Sequence, residues 1–237
     1  MMPNRIVAVI TLIVLSALFS KATTVNVPGD YPGIQAAINS AEDGDEILVH
    51  GGEFQDNLTI NKSISIKGIT TESRIPVIMP VTGDNAIALS NDGITLSGFK
   101  ISNEVGKVKT CISLNSDENS IYEMDLIGSS VNDIGISLND SKNNKIFNCT
   151  FKKIYHAAID VAKSSSNKIN NNTISDCQVG ISLTESSGNI LANDTFLNNV
   201  YGIVFGNIID EMENIEKDCN FSGTPFPRAT LPIIGDQ

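Results

Sequence analysis

The 237-residue chain has no tryptophan, only two histidines, and aromatic residues make up just 5% of it. Arginine is nearly absent: past the first few residues only Arg74 and Arg228 occur. Each scarcity removes a class of function. Lysine and arginine total 16 against 27 acidic residues, a net charge of −11, and no basic stripe is apparent along the sequence. That argues against nucleic acid, which needs clustered cations against the phosphate backbone. The shortage of aromatic rings limits strong stacking on sugars. The histidines, His50 and His156, are far apart, which leaves little for a histidine-rich metal centre. Four cysteines, Cys111, Cys149, Cys177 and Cys219, fit no zinc-knuckle spacing. Buried free thiols and a disulfide framework both remain open for them.

The one long apolar run, Ile6–Phe19, follows a positive charge and precedes the small residues Ser20–Ala22. This is the layout of a secretory signal cleaved near residue 22, and an uncleaved N-terminal anchor is the rival reading. Either way an extracytoplasmic domain is expected, with any membrane contact made only through that anchor.

What is present is repetition. CISL (Cys111–Leu114), GISL (Gly135–Leu138), AIDV (Ala158–Val161), GISL (Gly180–Leu183) and GIVF (Gly202–Phe205) are versions of one phrase. Their isoleucines recur every 22 to 24 residues. A second phrase runs between them: IYEMDL, IFNCTF, INNNTI and LANDTF. Both are short, β-branched and alternating, bounded by Asn, Ser, Gly and Asp, as strands between turns are. Strands at this period with no helix between them imply an all-β, right-handed parallel β-helix of about seven coils. The boundaries expected are a signal over 1–22, an N-terminal cap with a short helix over 23–43, coils over 44–206, and a C-terminal cap and tail over 207–237. The helix is expected within Tyr31–Asp45, where Ile34, Ala37, Ile38 and Ala41 share a face.

The opening VNVPGDYPGIQAAINSAEDGDEILVHGGEFQDNLTINKSISIKG, with the GISL…NNTI coils after it, resembles the NosD-like family of periplasmic and archaeal surface β-helix proteins. The resemblance covers nearly all of the chain after the signal. It implies the β-helix architecture, and it brings copper-accessory and carbohydrate-active roles into consideration; fold alone decides between neither.

Stacking of coils would bring residues at equal offset into columns. Asp133 stands one coil from His156, an arrangement that suits an acid orienting a base; Asp160 and Asp176 are the further acidic candidates. They sit at different offsets, whereas glycoside hydrolysis needs carboxylates gathered at one place. His156, Cys149 and Cys177 are the candidate copper ligands, and acidic outward columns are the candidate calcium ligands. No other cofactor is indicated. Three near-copies of Asn-x-Thr begin at Asn148, Asn171 and Asn193, each two residues after the aliphatic residue of its strand. Strand parity would point them inward as a hydrogen-bonded asparagine ladder. The sequons at Asn57, Asn61, Asn139 and Asn220 are then the expected glycan acceptors. The reading that follows is a secreted or surface β-helix, non-catalytic, structural or adhesive, with a cell-surface or extracellular polysaccharide as partner. A carbohydrate-active enzyme with a loop-built site is the alternative, and a copper accessory protein is the third.

Overall fold

The structure is a computed structural model that describes residues 22–129 and 133–230. The expected signal segment therefore lies outside the described residues, Ala22 excepted. Among the described residues, no helix is long and apolar enough to cross a membrane.

Three parallel sheets of nine, eight and eight strands run the length of the molecule as a right-handed solenoid of about eight coils. Each coil visits the sheets in order. Lys168–Asn170 lies in the first, Thr173–Ser175 in the second and Val179–Thr184 in the third. The next coil repeats this with Ile190–Ala192, Thr195–Leu197 and Tyr201–Phe205. The isoleucines that reveal the period are register partners: Ile112 pairs with Ile136, Ile136 with Ile159, Ile159 with Ile181, and Ile181 with Ile203. All five are fully buried, so each coil covers the apolar face of the last. The recurrent glycine of Gly-Ile-Ser-Leu has a packing cause. A Cβ at Gly180 would lie 2.4 Å from the Gly202 carbonyl oxygen and 2.5 Å from the Phe196 ring. Cys111, Cys149 and Cys177 are buried, Cys219 is half-buried, and all four are free thiols.

The corners carry the main correction. From residue 98 onward the first and second sheets are joined by two residues, at 98–99, 123–124, 148–149, 171–172, 193–194 and 218–219. The first residue of each pair is left-handed; φ is 55° at Asn148, 57° at Asn171 and 56° at Asn193. Asparagine tolerates that region better than most L residues. The left-handed residue breaks strand parity, so Asn148, Asn171 and Asn193 are exposed and form no inward ladder. The residue after each turns inward instead: Cys149, Asn172 and Asp194. Asn172 donates from Nδ2 to Asp194 Oδ1 at 2.9 Å and to the Ile146 carbonyl at 3.1 Å.

An asparagine ladder does exist, at the corner between the third and first sheets. Asn119, Asn144, Asn167 and Asn189 are wholly buried. Each donates from Nδ2 to the Oδ1 of the next: 3.0 Å to Asn144, 3.1 Å to Asn167, 2.9 Å to Asn189 and 2.8 Å to Asn214. These residues stand two positions before Ile121, Ile146, Ile169 and Leu191, on the side where alternation continues unbroken.

The stack is longer than seven coils at its C-terminal end. Past Gly206, the strands Ile215–Lys217, Asn220–Ser222 and Phe226–Thr230 add a further coil. Helix Ile208–Glu213 (α2) interrupts the period ahead of them. Glu216 and Arg228 take the register positions of Leu191 and Ile203 in this coil. That substitution of polar for aliphatic residues hides the coil from a search for the repeat. Arg228 forms a two-point ion pair with Glu216 and lies 5.2 Å from the centre of the Phe221 ring, which itself stacks on Phe196. At the other end, helix Ile34–Ser40 (α1) buries Ile34, Ala37 and Ile38. Lys62 Nζ donates to the carbonyls of Ile38 (3.1 Å), Asn39 (2.8 Å) and Ala41 (2.5 Å), capping the C-terminal end of this helix.

Candidate functional site

The three corners of the coil differ in how freely their length varies. The first–second corner stays at two residues along most of the stack, and the third–first corner holds five at 90–94, 115–119, 140–144, 163–167 and 185–189, with four at 61–64 and nine, including α2, at 206–214. The second–third corner swells and shrinks: 55–57, 79–82, 103–107, 128–133, 153–156, 176–178, 198–200. In repeat proteins, loops that vary from coil to coil gather on the face that meets ligands.

Two adjoining grooves open on this corner in the later coils. One, of about 280 Å³, is lined by Lys153, Tyr155, Asp176, Gln178, Asn198 and Val200. The other, of about 260 Å³, is lined by Tyr155, His156, Gln178, Val179, Ser182 and Val204. Tyr155 and Gln178 belong to both. Tyr155 is 49% exposed, so the ring offers a face to anything lying along the corner. Two and three coils further, Tyr201 and Phe226 stack at 5.1 Å on the outer side of the third sheet.

Asp160 is the carboxylate of this face. It sits on the strand Ala157–Ala162 between its register partners Ser137 and Ser182. Burial raises its pKa, while a hydrogen bond from Ser182 and the charge of His156 oppose the rise. The groups acting on it are a hydroxyl and an imidazole rather than a second carboxylate. Asp176 opens the 176–178 turn in the left-handed region, with φ 56°, and lines the first groove.

The Asp133–His156 pairing expected from the sequence does not form as a side-chain relay. Asp133 is 1% exposed, and its carboxylate accepts from the Tyr155 backbone N–H at 2.8 Å and from the Ser129 hydroxyl at 3.1 Å. His156 meets it through the backbone, N–H to the Asp133 carbonyl at 2.9 Å. A buried acid that holds loop N–H groups is committed to shaping the turn. Asp133 thereby sets the position of the segment that carries Tyr155 and His156.

The candidate metal ligands are not brought together either. Cys149 faces the core at the first–second corner, Cys177 faces it at the second–third corner, and His156 is on the outside. Burial pushes both thiols up to about 12, far from the thiolate that binds metal. Among the described residues, no group of three His, Cys, Asp or Glu could hold a metal ion, calcium included. Of the sequons, Asn61, Asn139 and Asn220 are exposed, as are Asn148, Asn171 and Asn193. Asn57 is half-buried and hydrogen-bonded to the Val81 N–H and carbonyl in the next coil, at 3.0 and 3.2 Å.

The sequence signal for the groove was present but dispersed. Tyr155, Gln178 and Ser182 belong to three phases of the repeat, and only the stacking of coils gathers them.

Comparison with known proteins agrees with this architecture. The family described as periplasmic copper-binding protein (NosD) matches residues 39–226. No curated protein matches the chain. Among solved structures, the ORF18 protein of Geobacillus virus E2 is 17% identical with a TM-score of 0.50, covering 85% of this chain and 43% of that one. This chain thus spans less than half the length of that protein. Pectin methylesterase PemA from Erwinia chrysanthemi is 12% identical with a TM-score of 0.43, covering 91% of this chain and 97% of that one. The Dettilon tailspike protein is 11% identical with a TM-score of 0.40, covering 84% and 59% respectively. Similarity at this level concerns the fold alone.

Proposed function

The chain belongs to the NosD family, and from that premise we propose that it is an extracytoplasmic, non-catalytic β-helix that holds glycan against its second–third corner. The observation that carries this reading is the pair of grooves sharing Tyr155 and Gln178. A half-exposed ring beside an amide, a hydroxyl and one carboxylate suits a hydroxyl-rich sugar: the ring takes the C–H face and the polar groups take hydroxyls. The solenoid gives these groups a rigid backing, since each corner is hydrogen-bonded to its neighbours above and below. A single aromatic platform in an open groove points to modest affinity.

The copper role suggested by the family's description does not fit these residues. Soft thiolate or imidazole donors must converge on the ion, and here Cys149, Cys177 and His156 face three different places. The enzyme alternative draws support from Asp160, whose raised pKa is a property of general acids. The other acid of this face, Asp176, is at the corner, six residues before Asp160's register partner Ser182, and is not gathered with Asp160 as glycosidic chemistry requires.

Titration calorimetry with neutral oligosaccharides tests the proposal. Tyr155→Ala should weaken binding roughly fivefold to tenfold, the worth of one aromatic stacking contact. Turnover of a polysaccharide by the purified protein, abolished by Asp160→Asn or Asp176→Asn, would overturn the non-catalytic reading.

A further inference from the structure

The first sheet carries a second surface, on the opposite side of the corner from the grooves and independent of them. Its outward positions are set by register. Ser120 pairs with Lys145 and Lys145 with Lys168; two residues along, Tyr122 pairs with Phe147 and Phe147 with Asn170. Ile121, Ile146 and Ile169 between them are buried, so all six neighbours project from the sheet. Both lysines are exposed. The Tyr122 and Phe147 rings stack at 4.9 Å with 12° between their planes.

Two features mark this patch. Acidic residues outnumber basic ones 27 to 16, yet the outward positions of Ser120–Tyr122, Lys145–Phe147, Lys168–Asn170 and Ile190–Ala192 carry none. Lys145 and Lys168 are also direct cross-strand partners, and like charges opposite one another destabilise a sheet. Lys67, Lys109 and Lys142 are paired with acids, namely Glu46, Asp84 and Asp117. Among the described residues neither Lys145 nor Lys168 has a salt bridge. Two unneutralised cations stand beside the outward edges of a stacked aromatic pair, a surface that an anionic sugar would complete.

We propose that this face binds a linear uronate-bearing glycan, with a carboxylate between the Lys145 and Lys168 ammonium groups. A sugar packs its C–H groups against the outward side of the Tyr122–Phe147 stack, and the Asn170 amide is in line to meet a hydroxyl. The choice of a glycan over any other polyanion rests on the ring pair, since charge alone needs no apolar contact beside it.

Calorimetry of the full chain with polygalacturonate oligomers, at low and moderate salt, tests this. The wild type should bind, and binding should weaken as salt rises. The Lys145→Gln/Lys168→Gln double variant should bind about tenfold more weakly, as the loss of two exposed ion pairs implies. Phe147→Ala should weaken polygalacturonate binding but leave inorganic polyphosphate binding unchanged. Tyr155→Ala, on the groove, should leave polygalacturonate binding unchanged, which separates this inference from the proposal above. Lys168→Gln alone should raise the melting temperature of the free protein by relieving the lysine pair. No binding by the wild type, equal binding by the double variant, or loss of binding in Tyr155→Ala would each overturn the assignment. So would polyphosphate binding as tightly as polygalacturonate with Phe147→Ala affecting neither.

Discussion

Replacing Asp194 with asparagine should stabilise this protein at neutral pH. Asp194 is wholly buried at the first–second corner, in the column after Cys149 and Asn172. Its Oδ1 accepts from the Asn172 backbone N–H at 2.8 Å and from Asn172 Nδ2 at 2.9 Å, while Oδ2 has no partner. The repeat indicates what Oδ2 faces. Cys149 Sγ reaches toward the Ile121 carbonyl at 3.9 Å, and Asn172 Nδ2 donates to the Ile146 carbonyl at 3.1 Å. One coil on, the equivalent carbonyl is that of Ile169. By that equivalence an ionised Oδ2 would face another acceptor, and a protonated one could donate to it. Burial accordingly pushes the Asp194 pKa up to about 6 from 3.8, against the opposing hydrogen bonds from Asn172 and Ala192.

A shift of that size corresponds to about 3 kcal/mol lost when the group is ionised. Because the folded pKa is raised, the native state holds the proton more tightly than the unfolded chain does. Stability is therefore undiminished below pH 3.8, falls as pH rises through the interval to 6, and carries the full penalty above it. Asparagine puts a donor at the Oδ2 position at every pH. Denaturant unfolding should show Asp194→Asn more stable than wild type by about 2–3 kcal/mol at pH 7.5, a difference that closes as pH falls to 4. Equal or lower stability of the variant at pH 7.5, or a difference independent of pH, would refute the reasoning.

Other consequences follow from the corners and the core. Asn167→Ala should cost about 2–4 kcal/mol by denaturant unfolding, because it takes away the Oδ1 that accepts from the buried Asn144 N–H and from Asn144 Nδ2. Asn171→Gly, at an exposed left-handed position, should stay within about 0.5 kcal/mol of wild type. Gly180→Ala should lower stability by about 1–3 kcal/mol, since its methyl group meets the Gly202 carbonyl and the Phe196 ring. Thiol titration with a disulfide reagent at pH 8 should find Cys111, Cys149 and Cys177 unreactive until the protein unfolds, burial having pushed each up to about 12. Cys219, half-buried and at about 11, should react first.

Much of the fold was legible from the chain because a solenoid writes its architecture into its period. The recurring isoleucines, Ile112 to Ile203, are both the sequence signal and the stacked core, and the α1 stripe of Ile34, Ala37 and Ile38 is buried as its helical spacing requires. The last coil was illegible because Glu216 and Arg228 hold aliphatic register positions there, where the stack ends in an ion pair. The candidate site was legible only in part. Asp160 and His156 do share a face with Ser182, but Asp133, Cys149 and Cys177 are committed to the turn and the core.

The amino-acid sequence alone determined the repeat, the strand type and the family, since those depend on spacing and on β-branched alternation that each coil must satisfy by itself. Only the tertiary structure decided which asparagines face inward. A single left-handed residue at each two-residue corner reverses parity, exposing Asn148, Asn171 and Asn193 and burying Asn172. Parity persists on the other side of the strand, where Asn119, Asn144, Asn167 and Asn189 form the ladder. The surfaces belong to the stack as well: Lys145 meets Lys168, and Tyr155 meets Gln178, across coils that the chain keeps more than twenty residues apart.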